Sequence, residues 1–175
     1  MRGHFALAAR GAGMALLAAG LFACSTSQTT QYPSQYADRV IVEKGKRTMT
    51  LMQGGKVLKT FNVALGQNPV GRKEQQGDQR TPEGTYTVDL RRPESRFNLA
   101  LRISYPAPND RQYAAARGVD PGGEIYIHGQ PNGGVNPARL ADGPDWTDGC
   151  VAVTNAEMHE IWALVRIGTP VEIRP

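Results

Sequence analysis

Apolar and polar positions alternate with a period of two through much of the chain, the pattern of strands that bury one face. Arg39-Val40-Ile41-Val42-Glu43 is a short apolar run, Lys44-Gly45-Lys46 breaks it, and Thr48-Met49-Thr50-Leu51-Met52 follows. Gly54-Gly55 supplies a hairpin turn into Val57–Leu65, where Val57, Lys59, Phe61, Val63 and Leu65 fall on one face. Tyr86–Leu90, Leu99–Ile103 and Glu124–His128 predict three more strands, punctuated by Pro and Gly clusters at Pro69–Gly71, Thr81–Gly84, Pro106–Pro108 and Pro121–Gly123. The period lengthens to that of a helix only near the C-terminus. There Thr154 with Glu157 forms a capping box, Met158, Ile161, Trp162 and Val165 share a face, and Gly168 sits where a helix stops. Val171-Glu172-Ile173 closes the chain as a strand. The pattern is that of a mostly β domain, a β-sandwich or open barrel with one helix packed on it near the C-terminus.

The amino terminus follows a different rule. Arg2 and Arg10 precede the uncharged stretch Ala15–Ala23, which is shorter than the roughly 20 apolar residues a membrane-spanning helix needs. It ends in Leu21-Phe22-Ala23-Cys24, which resembles the lipobox of bacterial lipoproteins and implies cleavage before Cys24 and lipidation of its thiol and amino group. The alternative is an ordinary secretory signal in which Cys24 has no role. The expected organisation is a signal over residues 1–23, a lipidated tether rich in Ser, Thr, Gln and Tyr over 24–37, and a single domain over 38–175. With Ser25 after the cysteine, the expected location is the periplasmic face of the outer membrane, a soluble secreted or periplasmic protein being the alternative. Loss of the signal leaves 18 Lys and Arg against 16 Asp and Glu. The formal charge of +4 thus falls to +2, and no basic run survives to indicate a nucleic-acid partner.

Lipidation consumes Cys24 and leaves Cys150 as the remaining thiol. Three readings of Cys150 compete: a buried structural cysteine, a bridge to Cys24 or to another chain, and a nucleophile. Its surroundings, Asp145-Trp146-Thr147-Asp148-Gly149-Cys150-Val151, favour the third, because Gly149 leaves backbone N–H groups free to approach an oxyanion beside the sulfur. A cysteine nucleophile needs an imidazole to take its proton. His4 goes with the signal and His159 lies on the predicted helix, whereas in Ile125-Tyr126-Ile127-His128-Gly129 the isoleucines face a core and put His128 on the other face at a strand end. His128 is therefore the candidate base.

His128-Gly129, with eighteen residues separating His128 from Thr147-Asp148-Gly149-Cys150-Val151, resembles the active-site signature of the YkuD-type L,D-transpeptidases, and most of all their YafK-like branch. Gly77–Gly84, containing Arg80 and Thr81-Pro82-Glu83-Gly84, is similar to the segment that precedes that signature, and Val63-Ala64-Leu65-Gly66 to an early strand end; the likeness runs over residues 39–174. The resemblance implies that Cys150 attacks a carbonyl of a peptidoglycan stem peptide, commonly that of diaminopimelate, and passes the acyl group to an amine or to water. It implies His128 as general base and acid, Gly149 as an oxyanion donor through its backbone, and Thr147 as an orienting residue. Tyr126, Gly129, Trp146 and Arg80 are the candidates for holding substrate. No metal and no cofactor is implied.

Two positions depart from the family pattern. Asp148 stands where many members carry histidine, and a carboxylate pointing inward there raises the thiol pKa. Ala152 stands where Arg or Asn is common, so the substrate peptide is held differently. The resemblance leaves a transpeptidase and a hydrolase of the same bond both open, with a wall-linked lipoprotein as a further partner. A non-catalytic wall-binding lipoprotein is the reading from another class.

Overall fold

The computed structural model describes residues 36–135 and 144–175. The signal and most of the tether expected at the amino terminus lie outside the described residues.

The chain opens with three strands, β1 (Arg39–Glu43), β2 (Thr48–Gln53) and β3 (Lys56–Asn62). It continues through β4 (Gly84–Ser95), β5 (Asn98–Ile103), α1 (Pro108–Ala115) and β6 (Tyr126–His128), and ends with β7 (Val151–Ala152), α2 (Asn155–Leu164) and β8 (Pro170–Arg174). The sheet order is β3-β2-β1-β8-β4-β5-β6-β7. Strand β4 is long enough to serve two neighbours: Gly84–Thr87 pair with β8, and Val88–Ser95 pair with β5. The two ends of the order meet beyond β3, where Ala64 and Ala152 exchange backbone hydrogen bonds of 2.8 Å each way. A mostly β, barrel-like fold results, as the alternation requires.

The core follows from that alternation. Val40 and Val42 of β1 pair in parallel with Val171 and Ile173 of β8, and Met49 and Leu51 of β2 lie on the same buried side. Gly54 and Gly55 have φ of 54° and 76°, so both central positions of the hairpin adopt the left-handed region that a two-residue turn between twisted strands demands. Met158 and Ile161 bury α2 in the core, and Thr154 caps the helix by accepting the Glu157 N–H.

Two features differ from the sequence pattern. Val57 is 61% exposed, because β3 carries an extra residue opposite Leu51/Met52. The bulge puts Val57 out of phase with Phe61, Val63 and Leu65, which are buried, while Lys59 stays in phase with Phe61 and carries its ammonium out to Glu160. The second helix, α1, shows no apolar stripe to read: its buried residues are Asp110 and Ala114, and Asp110 accepts from the Ala107 N–H at the helix start. Ala37, assigned by composition to the tether, is buried and donates its N–H to Leu164 O, so the domain begins just before Asp38.

Candidate active site

Parallel pairing of β6 and β7 assembles the site. Ile127 lies opposite Val151 and His128 opposite Ala152, which sets Cys150 beside Tyr126. Residues two apart on a strand share a face, so Cys150 and His128 emerge on the same side of adjacent strands. Both line one cleft of about 490 Å³, together with Arg92, Arg96, Phe97, Glu124 and Tyr126.

The loop that delivers the thiol is held by backbone approach. Gly149 has φ 126°, and a Cβ there would lie 2.7 Å from Arg80 O; a Cβ on Gly66 would meet Gln79 O at 2.1 Å. Both positions therefore require glycine, which explains why the Gln79–Thr81, Leu65–Gly66 and Gly149–Cys150 segments coincide in space. Asp145 fastens the start of the loop: its carboxylate accepts the Leu65 N–H at 2.9 Å and two bonds from Arg47 at 3.0 and 2.8 Å. Among the described residues, the non-glycine ones with positive φ are Arg47, Gln79, Asn98 and Glu124, and each touches this site or its supports. Backbone strain gathers around the cleft that Cys150 and His128 share.

His128 is 3% exposed. Its ring lies 4.4 Å from that of Phe97 and edge-on to Trp146 at 5.7 Å. Its Nδ1 is 2.6 Å from Gly129 O. A carbonyl only accepts, so Nδ1 carries the proton and Nε2 keeps its lone pair for a base. Burial lowers the imidazole pKa against the opposing pull of that carbonyl, which keeps the ring neutral near pH 7. The thiol of Cys150 is pushed up to about 11: burial dominates, Asp148 and Glu124 add to it, and the Tyr126 N–H and Lys73 act the other way. At rest the pair is therefore thiol and neutral imidazole, and the thiol points to Glu124 O at 3.7 Å. The carboxylate of Asp148 acts on the sulfur in the direction its position suggested, but second to burial.

The remaining candidates separate. Tyr126 lines the cleft, with its hydroxyl on Glu124 Oε2 at 2.5 Å. Trp146 is buried behind His128 and packs rather than presenting a face to solvent. Gly129 is a crossing point, where a Cβ would lie 2.5 Å from Asn155 Oδ1. The Arg80 guanidinium turns away from both clefts that Cys150 lines, toward Arg72 O and Glu74; its carbonyl is what meets Gly149. Thr147 braces the loop itself. Its hydroxyl donates to Cys150 O and accepts the Gly149 N–H, so that amide is engaged within the turn, while the His128 ring is tied to Gly129 instead. Ala152 is buried in the seam with Ala64, which leaves no room there for the longer side chain common in the family. Residues that sequence reasoning missed are Phe97, Asp145, Asn155 and Lys73, whose roles depend on partners 25 to 98 positions away or on an unpatterned turn.

Residues 37–173 match the model of the YkuD family, the L,D-transpeptidase catalytic domain. The chain belongs to that family. YafK of Escherichia coli strain K12 is 28% identical to this YkuD domain protein over 154 residues, 81% of this chain and 55% of its own. The chain thus spans about half the length of the curated relatives it matches. Among solved structures, the helical cell shape determining protein Pgp2 of Campylobacter jejuni superposes with a TM-score of 0.60 at 23% identity, over 79% of this chain and 49% of that one. Bd1075 of Bdellovibrio bacteriovorus gives a TM-score of 0.54 at 25% identity, over 80% and 48%. These likenesses bear on the YkuD fold; the chemistry rests on the residues above.

Proposed function

We propose that this YkuD domain is a cysteine acyltransferase, an L,D-transpeptidase working on peptidoglycan stem peptides through a thioester on Cys150. The observation that carries the reading is the juxtaposition of the Cys150 thiol and the His128 imidazole on one face of paired strands, opening on one cleft. His128 Nε2 takes the thiol proton as sulfur attacks the carbonyl carbon of the diaminopimelyl residue. The tetrahedral intermediate collapses as the C–N bond breaks, and the proton on His128 passes to the departing amine. An incoming amine then gives its proton to His128 and attacks the thioester, and the thiolate leaves and is reprotonated. Because the Gly149 N–H is bonded to Thr147, the Cys150 N–H is the amide suited to the oxyanion, with Gly149 joining when the turn relaxes. Since thiol and imidazole both rest neutral, proton transfer accompanies attack rather than preceding it.

The test is to incubate the purified chain with tetrapeptide-bearing muropeptides and with muropeptides linked to a lipoprotein, and to read products by mass spectrometry. Dimers or exchanged D-amino acids support transfer. Water as acceptor, or release of an attached chain, makes the protein a hydrolase of the same bond. Undiminished turnover after Cys150→Ser removes the nucleophile assignment.

We further propose that the domain is tethered through a lipidated Cys24 at the periplasmic face of the outer membrane, on the strength of Leu21-Phe22-Ala23-Cys24. Globomycin should make the unprocessed precursor accumulate; unchanged processing overturns the anchor.

A further inference from the structure

A depression of about 550 Å³ lies where the chain enters the domain, and neither Cys150 nor His128 lines it. Its walls are Tyr36, Arg91 of β4, Trp162 and Ala163 of α2, and Arg166 and Ile167 of the turn between α2 and β8. The Ala37 N–H donates to Leu164 O at 2.9 Å, which fixes Tyr36 against the end of that helix.

Both charges in the lining are positive. Arg91 serves the fold: its guanidinium lies 3.9 Å over the Trp162 ring and donates to Trp162 O at 2.9 Å and to Val165 O, carbonyls that the end of α2 leaves open. Two of its five N–H groups are used, and three remain. Arg166 has no such task. It is exposed, and its guanidinium lies 3.3 Å over the Tyr36 ring with no hydrogen bond or ion pair to it among the described residues. Burial, and after it the charge of Arg166, lowers the Arg91 pKa from its ordinary value. Two guanidiniums that repel each other, with no carboxylate in the lining, are complemented by an anion from outside the chain.

Apolar surface stands beside these charges. Of the four large hydrophobic residues exposed among the described ones, Tyr36 at 37% and Ile167 at 61% belong to this depression. Aromatic rings, arginines and an exposed aliphatic tip together match the boundary between lipid headgroups and acyl chains. A carboxylate-bearing wall polymer would satisfy the guanidiniums but leave Ile167 in water. Cys24 precedes Tyr36 by 12 positions. A chain of that length spans at most about 40 Å, so a lipidated Cys24 keeps this corner of the domain within that distance of a bilayer.

We propose that the face formed by Tyr36, Arg91, Trp162, Arg166 and Ile167 docks on an anionic phospholipid surface, its guanidiniums on lipid phosphates and Ile167 at the acyl boundary. The docking rests on the lipid anchor at Cys24, which holds the bilayer within reach, and it adds an orientation that a tether alone does not impose.

The chain holds two tryptophans, and Trp146 is buried, which makes Trp162 a reporter for this face. The full chain, recovered from membranes, is placed in vesicles of phosphatidylethanolamine and phosphatidylglycerol whose acyl chains are brominated near the headgroup. Bromine quenches by contact, so tryptophan emission should fall, and Trp162→Phe should remove the fall. Replacing phosphatidylglycerol with phosphatidylcholine should lower the ratio of docked to undocked chain at least about fivefold, and Arg166→Gln should do the same, the scale of one arginine at an anionic surface. Ile167→Ser should lower it too; both substituted positions are exposed, so the fold survives. Unquenched Trp162 in the unsubstituted chain overturns the docking, as does quenching that Arg166→Gln and Ile167→Ser leave unchanged. Capture by purified peptidoglycan that Arg166→Gln abolishes, with Trp162 unquenched, overturns it in favour of a wall-facing surface. The mass of the amino-terminal peptide decides the anchor separately. Acylated Cys24 with unquenched Trp162 keeps the anchor and removes the docking, whereas quenched Trp162 in a chain without acyl groups keeps the docking and removes the anchor.

Discussion

Thr147 holds Cys150 by its backbone: the threonine hydroxyl donates to Cys150 O at 2.8 Å while accepting the Gly149 N–H at 3.1 Å. One buried side chain thereby fixes both the Cys150 carbonyl and the preceding amide of the turn. Thr147→Val keeps the shape and removes both bonds, leaving a buried donor and acceptor unpaired at a cost of about 1–3 kcal/mol. Chemical denaturation should show that loss, with turnover lowered as well, and Thr147→Ser should recover most of both.

The resting thiol sets a pH signature. With the Cys150 pKa raised from 9.0 to about 11, chiefly by burial, alkylation by iodoacetamide should keep climbing between pH 9 and 11 rather than levelling off near 9. Stability has the matching sign. The unfolded thiol loses its proton first, so the folded state loses free energy as pH rises from about 9 to about 11, and Cys150→Ala should flatten the melting-temperature profile in that window.

His128 titrates in the opposite sense. Its folded pKa lies below the ordinary 6.5 because burial penalises the charged ring. The contribution to stability is therefore present above about pH 6.5 and lost as pH falls through the folded value, where the unfolded chain takes up a proton that the buried ring refuses. His128→Gln should reduce the fall in melting temperature between pH 8 and 5. The same variant should lower turnover by roughly 10²–10⁴-fold, the contribution of a positioned acid–base group.

Gly149→Ala tests the backbone crossing. A φ of 126° together with a Cβ 2.7 Å from Arg80 O forces the loop to move. A destabilisation of at least about 1–3 kcal/mol is expected, with loss of turnover exceeding what the residual folded fraction explains.

Asp145 is the buried tie between the loop that carries Cys150 and the β1–β2 turn. Asp145→Ala removes the acceptor for Leu65 N–H and the partner of Arg47, and should cost about 2 kcal/mol in urea unfolding, less than a fully buried pair because Arg47 reaches solvent. Asp145→Asn keeps an acceptor for Leu65 and should fall between.

What the amino-acid sequence determined by itself was whatever is encoded locally. Alternation in Val40/Val42 and Met49/Leu51, the Gly54-Gly55 turn and the Thr154/Glu157 box specify strands, hairpin and helix through neighbours only a few residues apart. Cys150 and His128 were legible for a related reason, since a thiol after glycine and an imidazole at a strand end are chemically distinctive wherever they sit. Tertiary structure decided everything that depends on partners brought from afar. The bulge that turns Val57 out lies in the pairing with β2. Thr147 was legible as a residue type but not in what it braces, and the Arg80 guanidinium lies away from the thiol because the chain's return past Gly149 uses the arginine's carbonyl instead. Lys73 stands in an unpatterned turn, and only folding sets it in the cleft beside Cys150, 77 positions on. A period of two records which face is buried; it carries no record of which distant backbone arrives there.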